Sequence, residues 1–185
     1  MRWLQLRKAV RVLNHGGIIA YPTESVYGLG CDPNNGSAVY RLLWLKQRSV
    51  DKGLILIASS LKQLKPYLAE IGEEYLERAL MTWPGPATWL IPASDKTPHW
   101  LRGKHDTIAV RVTNHPLASA LCQQFKGPVV STSANKTGEP VTKQVHQVRQ
   151  VFGDNIDFYL EGEIGDLERP TEIRDIMTNE IIRSG

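Results

Sequence analysis

The sequence predicts an α/β fold in one domain, built on a sheet. Short apolar runs that indicate strands alternate with segments whose apolar residues recur at helical spacing. A chain of 185 residues is long enough for a substantial core, and 42% hydrophobic with 22% charged residues is ordinary for a globular protein. No internal repeat, low-complexity tract or linker divides residues 1–185, so we expect a single domain.

The N-terminal segment predicts an amphipathic helix followed by a buried strand. Apolar residues at helical spacing indicate the helix, and the run from Asn14 to Gly17 ends it. Those apolar residues are Leu6, Ala9, Val10 and Leu13. The apolar run from Ile18 to Tyr21 predicts a short strand that leads directly into a loop at Pro22 to Glu24.

A second helix and the clearest strand follow. Ser37 is a suitable N-cap, and the helix places Lys46 and Arg48 at its C-terminal end. Its apolar residues are Val39, Leu42, Leu43 and Leu45. The run from Leu54 to Ala58 is apolar throughout, so we expect a strand that is covered on both faces.

The rest of the chain continues the alternation. Residues 61–81 predict one or two helices, which end before the run from Trp83 to Pro86 because proline cannot continue a helix. Further strands are predicted at 88–91, 108–112, 129–130 and 158–160, further helices at 116–125 and 144–152, and a hairpin from 173–176 and 181–182. The run from Gly162 to Pro170 is the most loop-like, and we expect it to be mobile.

Charge and cysteine content favour a cytoplasmic protein. The net charge of +3 and the pI near 8.9 suit an anionic ligand such as a nucleotide or RNA, although charge alone does not require one. Cys31 and Cys122 do not form a secreted disulfide framework. The N-terminus carries too much charge for a signal peptide, and no stretch approaches the ~18 apolar residues of a membrane span. The five histidines lack ligand spacing, so no metal site is predicted.

Three polar runs are the candidates for chemistry. Ser131 to Asn135 follows an apolar strand, Lys46 and Arg48 are two cations spaced two residues apart, and Tyr21 to Gly30 mixes polar residues with glycines. Hydroxyl, amide and guanidinium groups are what a protein without a P-loop needs to hold phosphates, and no GxxxxGK[ST] motif is present. Taken singly, the first run is typical of a turn or cap, and the second of a solvated helix face.

Several single residues in or near these runs allow two interpretations. Lys52 is either a surface lysine or a phosphate ligand, and Thr23 is either a turn residue or a substrate contact. Tyr27 either packs in the core or forms an apolar wall. Arg111 follows three apolar residues, so if buried it needs a partner, either an internal carboxylate or an anionic ligand. A dinucleotide site is excluded at Gly28, because Pro33 stands where the third glycine is required.

Six runs together resemble the YrdC-type threonylcarbamoyl-AMP synthases, in particular their short bacterial form. They occur in the order and spacing of that family: Tyr21 to Gly30, Lys46 to Arg48, Asp51 to Leu54, Trp83 to Pro86, Val110 to Val112, and Ser131 to Asn135. The resemblance implies an open, twisted, mixed sheet flanked by helices, with a large concave ligand cavity.

The resemblance also implies roles for individual residues. Lys46 and Arg48 would be catalytic, neutralising the charge on the phosphates. The ATP-binding residues would be Lys46, Arg48, Lys52, Ser131, Ser133, Asn135 and Arg174, and the threonine-binding residues Thr23, Tyr27, Arg111, Thr88 and Thr171. The chain departs from the family pattern at Ser49, where proline is common, and in the run from Pro170 to Asp175.

The implied reaction joins L-threonine, bicarbonate and ATP into threonylcarbamoyl-adenylate and diphosphate. This is the first step of the threonylcarbamoyl modification of adenosine 37 (t6A37) in tRNAs that read ANN codons. Downstream tRNA threonylcarbamoyl-transfer proteins would be its partners, and Mg²⁺ would be carried by the nucleotide. Replacing Lys46 or Arg48 by alanine is expected to abolish turnover and leave the fold intact.

Two alternatives stay open. The first is an RNA-binding maturation factor for tRNA or rRNA that uses the same basic cavity, although no RNP-type aromatics, KH loop or arginine-rich tract is present. The second is a carbamoyl-adenylate domain like those of hydrogenase-maturation proteins. Those domains usually lie in longer chains with zinc-finger-like cysteines, and this chain has two cysteines.

Overall fold

Nine strands form one mixed sheet in the computed structural model, which describes residues 2–184. In chain order they are β1 (Ile19–Pro22), β2 (Tyr27–Gly30), β3 (Ile55–Ala58), β4 (Thr88–Pro92), β5 (Thr107–Val112), β6 (Val129–Ser133), β7 (Phe158–Tyr159), β8 (Ile173–Asp175) and β9 (Ile181–Arg183). The spatial order is β7-β1-β2-β6-β3-β5-β4-β8-β9. The pairs β1/β7, β3/β5 and β4/β8 are parallel and the other five are antiparallel, so the predicted mixed sheet is confirmed.

Seven α-helices accompany the sheet within residues 2–184. They are α1 (Arg2–Asn14), α2 (Gly36–Leu45), α3 (Leu61–Leu64), α4 (Glu73–Leu80), α5 (His99–Arg102), α6 (Pro116–Phe125) and α7 (Val145–Phe152). Short 3-10 turns cover Val50–Lys52, Lys65–Tyr67 and Gly153–Asn155. None of the helices in this part of the chain is long and apolar enough to cross a membrane.

The sheet is buried on both faces, as the apolar strands predicted. Successive residues of a strand point to opposite faces. In β3, Leu56 belongs to a core that includes α2, α4 and α7, whereas Ile57 belongs to a second core with α1 and α6. In β6, Val130 and Val129 divide in the same way. Helices therefore flank the sheet on two sides, as expected.

Several predicted boundaries differ from the structure. The N-cap of α2 is Asn35, whose side chain accepts a hydrogen bond from the Ala38 backbone N–H at 3.0 Å, so the assignment of Ser37 as the cap was wrong. The helical region at 61–81 is broken after α3, because Leu68 forms a β-bridge with Ala93. The extra strand β2 was not predicted, because Gly28 and Gly30 weaken its strand signal.

Strand pairing extends β6 further than its apolar residues indicate. The sequence predicted a strand only at Val129 and Val130. In the structure Ser131 pairs with Ile55 of β3, and Ser133 pairs with Gly28 of β2. The polar run that was expected to follow the strand therefore lies largely within it, between two other strands, and its backbone is fixed by both.

Candidate active site

A cavity of about 220 Å³ opens where β2, β5 and β6 meet the segment before β8. Its wall brings together seven residues that are distant in the chain, and we call it the main cavity: Thr23, Arg48, Arg111, Ser131, Ser133, Thr171 and Arg183. A second cavity of about 230 Å³, here the side cavity, shares Arg48, Leu54, Ile55 and Arg183 with it and has Lys52 on its rim. The two cavities therefore adjoin at these four shared residues.

The turn after α2 explains why Lys46 and Arg48 diverge. Gln47 has φ of 52°, the left-handed conformation that commonly ends helices. The Gln47 N–H donates to the Trp44 carbonyl at 3.0 Å, and the Arg48 N–H donates to the Leu43 carbonyl at 2.9 Å. These two bonds form a Schellman motif, which ends the helix at Lys46 and turns Arg48 toward the main cavity.

Lys46 holds the end of β6 from the side of α2. Its Nζ donates to the carbonyl oxygen of Asn135 at 2.6 Å and also to that of Ser133. The side chain is buried. Burial is the main cause that lowers the pKa of Lys46 to about 8, and the charge of Arg48 is the second. The two distant runs therefore meet, and Lys46 bonds to backbone carbonyls of the second run without itself lining the main cavity.

The polar run of β6 contributes hydroxyls to the main cavity. Ser131 and Ser133 both line it, as predicted. Asn135 differs from expectation, because its amide Nδ2 donates to the carbonyls of Lys136 and Glu139, at 3.1 and 2.6 Å. Its buried Oδ1 has no hydrogen-bond partner, and Asn135 lines neither the main nor the side cavity.

Arg111 lies in a buried polar network at the cavity wall. Its Nη2 is 3.1 Å from Oε2 of Glu24, which confirms the interpretation of an internal ion pair. Its Nη1 donates to the hydroxyls of Thr171 and Thr88 at 2.6 and 3.2 Å. The Thr113 hydroxyl donates to Oε1 of Glu24 at 2.5 Å. The network joins three predicted residues, Arg111, Thr88 and Thr171, to two residues that sequence reasoning did not assign to the site, Glu24 and Thr113.

Thr23 and Tyr27 have contrasting positions. Thr23 lines the main cavity, while its hydroxyl donates to the Val26 carbonyl at 2.7 Å, which is the turn contact considered as its alternative. Tyr27 is buried in the core and donates to the Gly162 carbonyl at 2.5 Å. The core interpretation of Tyr27 is the one the structure shows, and its side chain does not form part of the main cavity wall.

In the C-terminal hairpin it is Arg183, and not the predicted Arg174, that lines the cavities. Arg174 donates to Oε1 of Glu172 at 2.8 Å and lines neither the main nor the side cavity. Ile173 pairs with Arg183 and both line the side cavity, whereas a β-bulge shifts the register between Ile173 and Arg174. Arg183 reaches both cavities, and its Nη2 donates to the Thr171 carbonyl at 2.7 Å. The register of the hairpin, which a single sequence does not fix, decides between the two arginines.

Positive charge dominates the main cavity. Burial is the main cause that lowers the pKa of Arg183, and the charges of Arg111 and Arg48 lower it further. Burial also lowers the pKa of Arg48. Arginine nonetheless stays protonated in proteins. Within residues 2–184 neither Arg48 nor Arg183 forms an ion pair, whereas Arg111 has Glu24. The cavity is thus suited to a multiply charged anion.

Unpaired polar atoms also concentrate at this site. In the described part of the chain, four buried side-chain atoms lack a hydrogen-bond partner: Glu24 Oε2, Arg48 Nε, Arg111 Nε and Asn135 Oδ1. Such atoms are rare in folded proteins and each calls for an explanation. All four belong to residues of the predicted motifs, and two of these residues, Arg48 and Arg111, line the main cavity.

Metal ligands are not grouped at the site. Among residues 2–184, no three His, Cys, Asp or Glu side chains are placed to hold an ion. Glu24 is the carboxylate nearest to the guanidinium of Arg111, and it is already paired. The protein groups described here therefore do not fit a resident metal.

Comparison with known proteins gives consistent matches. A model of the Sua5/YciO/YrdC family, described as telomere recombination, matches residues 11–185. A threonylcarbamoyl-AMP synthase of Coxiella burnetii is 56% identical over 178 residues, which cover 96% of each chain. The structure of P. abyssi Sua5 complexed with L-threonine superposes with a TM-score of 0.88 at 33% identity, covering 95% of this chain and 51% of that one. E. coli YciO superposes with a TM-score of 0.83 at 26% identity, covering 100% and 90%.

Proposed function

The chain belongs to the Sua5/YciO/YrdC family, and we propose that its main and side cavities are where L-threonine, bicarbonate and ATP react. Its activity is that of a threonylcarbamoyl-AMP synthase, as in the relative that matches it over 96% of both chains. The products are threonylcarbamoyl-adenylate and diphosphate, and this is the first step of the t6A37 modification of tRNA. The observation that carries the site assignment is the convergence of Arg48, Arg111 and Arg183 on one hydroxyl-lined cavity.

The phosphates of ATP bind to the side of the cavity that has unpaired cations. Arg48 and Arg183 supply guanidinium donors, and the hydroxyls of Ser131 and Ser133 supply neutral ones. Lys46 acts from behind, by fixing the backbone of β6 that carries both serines. Fixed donors of this kind stabilise charge that develops on phosphate oxygens during nucleotidyl transfer.

L-Threonine binds at Arg111, which contacts Thr171 as Arg183 does. The guanidinium is held in place by Glu24 and by the Thr171 and Thr88 hydroxyls, so its orientation is set before a ligand binds. The Thr23 hydroxyl keeps a free lone pair while it donates to Val26. P. abyssi Sua5, whose fold superposes on this chain, has been solved with L-threonine, which supports a threonine site here.

Chemistry proceeds by direct displacement. The amino nitrogen of L-threonine bonds to the carbon of bicarbonate, a C–O bond of bicarbonate breaks, and water leaves with one amino proton to give an N-carboxylate. A carboxylate oxygen then attacks the α-phosphorus of ATP, the bond from that phosphorus to the bridging oxygen breaks, and diphosphate leaves. No cysteine takes part, because Cys31 and Cys122 are buried and burial raises the pKa of both thiols. Rate enhancement comes from positioning and charge neutralisation.

We propose that ATP enters with its own Mg²⁺. Among the residues that line the main cavity there are guanidiniums and hydroxyls for phosphate oxygens but no carboxylate to hold the ion. Mg²⁺ commonly keeps several waters and binds through substrate phosphates. When bound, the ion neutralises phosphate charge, and the residues named above orient the same phosphates.

The product is an activated acyl group that other proteins transfer to tRNA. Those transfer proteins, and direct binding of RNA to the basic rim, stay predictions of the sequence. Lys52, on the exposed rim of the side cavity, is placed to contact either phosphates of ATP or an RNA backbone.

Isotope labelling tests the proposed reaction. Purified protein would be incubated with ATP, L-threonine and ¹³C-bicarbonate, and the products examined by mass spectrometry. A threonylcarbamoyl-adenylate that carries one ¹³C atom is the expected product. An adenylate of threonine itself, without the label, would contradict the reaction.

A further inference from the structure

Glu24 occupies an unusual position for a carboxylate in a site that binds anions. Its neighbours Thr23 and Ser25 line the main cavity, whereas Glu24 lies behind the wall and is 4% exposed. A buried carboxylate requires a partner, and an anion site would normally exclude a second anion. Its conformation is nevertheless fixed by the Thr113 hydroxyl, which donates to Oε1 at 2.5 Å.

The ion pair of Glu24 with Arg111 compensates charge without using up donors. Oε2 of Glu24 is 3.1 Å from Nη2 of Arg111, yet Oε2 has no aligned hydrogen bond. Nε of Arg111 also has no partner. Arg111 nevertheless lines the main cavity, and its Nη2 carries two hydrogens, of which one faces Glu24. Glu24 thus offsets the charge of Arg111 and leaves one Nη2 hydrogen for a ligand.

Nη1 of Arg111 is already occupied. Nη1 donates to the hydroxyls of Thr171 and Thr88 at 2.6 and 3.2 Å. Arg111 therefore has capacity for one ligand group of limited charge. Arg48 and Arg183 contrast with it, because neither forms an ion pair within residues 2–184.

We propose that Glu24 is a specificity-determining positioning residue, which offsets the charge of Arg111 so that this end of the cavity accepts a single carboxylate and discriminates against phosphate. The proposal rests on the proposed function, in which L-threonine binds at Arg111 and ATP at Arg48 and Arg183. It explains how one cavity with three guanidiniums keeps two anionic substrates apart: the unpaired arginines attract the phosphates, and the compensated arginine binds the carboxylate.

The variant Glu24→Gln tests the proposal, because it keeps the shape and removes the charge. Binding of L-threonine would be measured by calorimetry, with and without inorganic phosphate as the competing probe, so that the result does not depend on turnover. Because the charge of Arg111 is then no longer offset, we expect the dissociation constant of L-threonine to fall and that of inorganic phosphate to fall by a factor about 10-fold to 100-fold larger. We also expect inorganic phosphate to displace L-threonine from the variant at concentrations that do not displace it from the wild type.

Two further variants complete the test. Glu172→Gln is a matched control, because Glu172 pairs with Arg174 at 2.8 Å outside the main cavity, and it should bind like the wild type. Thr113→Val removes the donor that fixes Glu24, and it should shift L-threonine affinity in the same direction. It carries the test if thermal unfolding shows that Glu24→Gln does not fold.

The outcomes separate this proposal from the proposed function. Unchanged L-threonine affinity and unchanged phosphate competition in a folded Glu24→Gln or Thr113→Val variant would overturn the role of Glu24. Wild-type protein that binds both L-threonine and ATP, but forms no labelled adenylate, would instead contradict the proposed reaction and leave the role of Glu24 in binding to be judged by calorimetry.

Discussion

The Nζ of Lys46 lies 2.6 Å from the carbonyl oxygen of Asn135, so the end of α2 and the end of β6 are joined by one buried ammonium group. A second bond, to the carbonyl of Ser133, strengthens this connection. The two residues are 89 positions apart in the chain. The hydroxyl-bearing strand and the turn that carries Arg48 therefore form one unit, and the predictions below test its parts.

Replacement of Lys46 by methionine should reduce both turnover and stability. The change leaves two buried carbonyls without their donor, which we expect to lower the free energy of unfolding by about 1 to 3 kcal/mol. Turnover should fall by about 100-fold or more, since the serines lose their fixed positions. Steady-state kinetics and chemical denaturation measure the two effects. The simpler expectation from sequence, a loss of activity with an intact fold, applies better to Arg48, which is only half-buried.

Replacement of Arg183 by alanine should weaken ATP binding specifically. Arg183 lines both cavities and has no carboxylate partner in the described part of the chain, so we expect KM for ATP to rise by about 10-fold to 100-fold. Arg174→Ala is the matched control, because that residue belongs to the same hairpin but lines neither cavity. If Arg174→Ala raised KM for ATP and Arg183→Ala did not, the assignment from the hairpin register would be wrong.

The affinity for ATP should decrease as pH rises above about 8. Burial lowers the pKa of Lys46 to about 8, so the free protein loses this charge above that pH, and binding of an anion must then take up a proton. Calorimetric titration with ATP avoids the pH dependence of bicarbonate, and Lys46→Gln should show no inflection near pH 8.

The same pKa shift has the opposite sign for stability. Between about pH 8 and 10.5 the unfolded chain keeps the proton that folded Lys46 has released, so this residue adds to the free energy of unfolding as pH rises through that window. Below pH 8 both states are protonated and the contribution is constant.

An ATP affinity that increases from pH 8 to 9 would contradict a buried, deprotonating Lys46.

Replacement of Gln47 by glycine should raise stability and preserve activity. A residue with a side chain is held at φ of 52° at a cost of about 1 to 2 kcal/mol, part of which glycine avoids. We expect a net gain of about 1 kcal/mol or less and an increase in Tm of a few degrees. Turnover should stay at the wild-type level because the Schellman bonds come from the backbone. Calorimetric melting together with the kinetic assay tests both expectations, and a lower Tm would argue against the left-handed turn.

Replacement of Gly165 by alanine should disturb the threonine side of the site. A Cβ at this position would lie 2.6 Å from the Glu24 carbonyl oxygen, and the Gly165 N–H donates to the Thr23 carbonyl at 2.9 Å. We expect KM for L-threonine to rise, KM for ATP to change little, and Tm to fall. Gly127→Ala is the control, because an added Cβ there meets only Phe125 at 3.7 Å. Equal effects on both KM values would point to general destabilisation.

Sequence patterns predict the elements that depend on local chemistry. The helix α6 begins and ends at the predicted residues, Pro116 and Phe125, because proline begins it and its apolar residues recur at helical spacing. The β8/β9 hairpin is likewise found where two short apolar runs indicated it. One cavity is lined, as expected, by four residues of the predicted motifs: Arg48, Arg111, Ser131 and Ser133.

The remaining features depend on contacts that a single sequence does not contain. The choice of Arg183 over Arg174 depends on strand register. The role of Glu24 depends on the approach of β5, which brings Arg111 and Thr113 to the loop after β1. The predicted mobility of 162–170 stays a prediction, although Gly165 and Leu167 bond to the backbone of Thr23 and Glu24.

Release of diphosphate from ATP, with L-threonine or bicarbonate omitted in turn, tests the central claim most directly. The account predicts release only when both are present, accompanied by AMP from hydrolysed product, and loss of release in Arg48→Ala. Equal release without L-threonine would contradict it, as would the absence of release from folded wild-type protein that binds ATP.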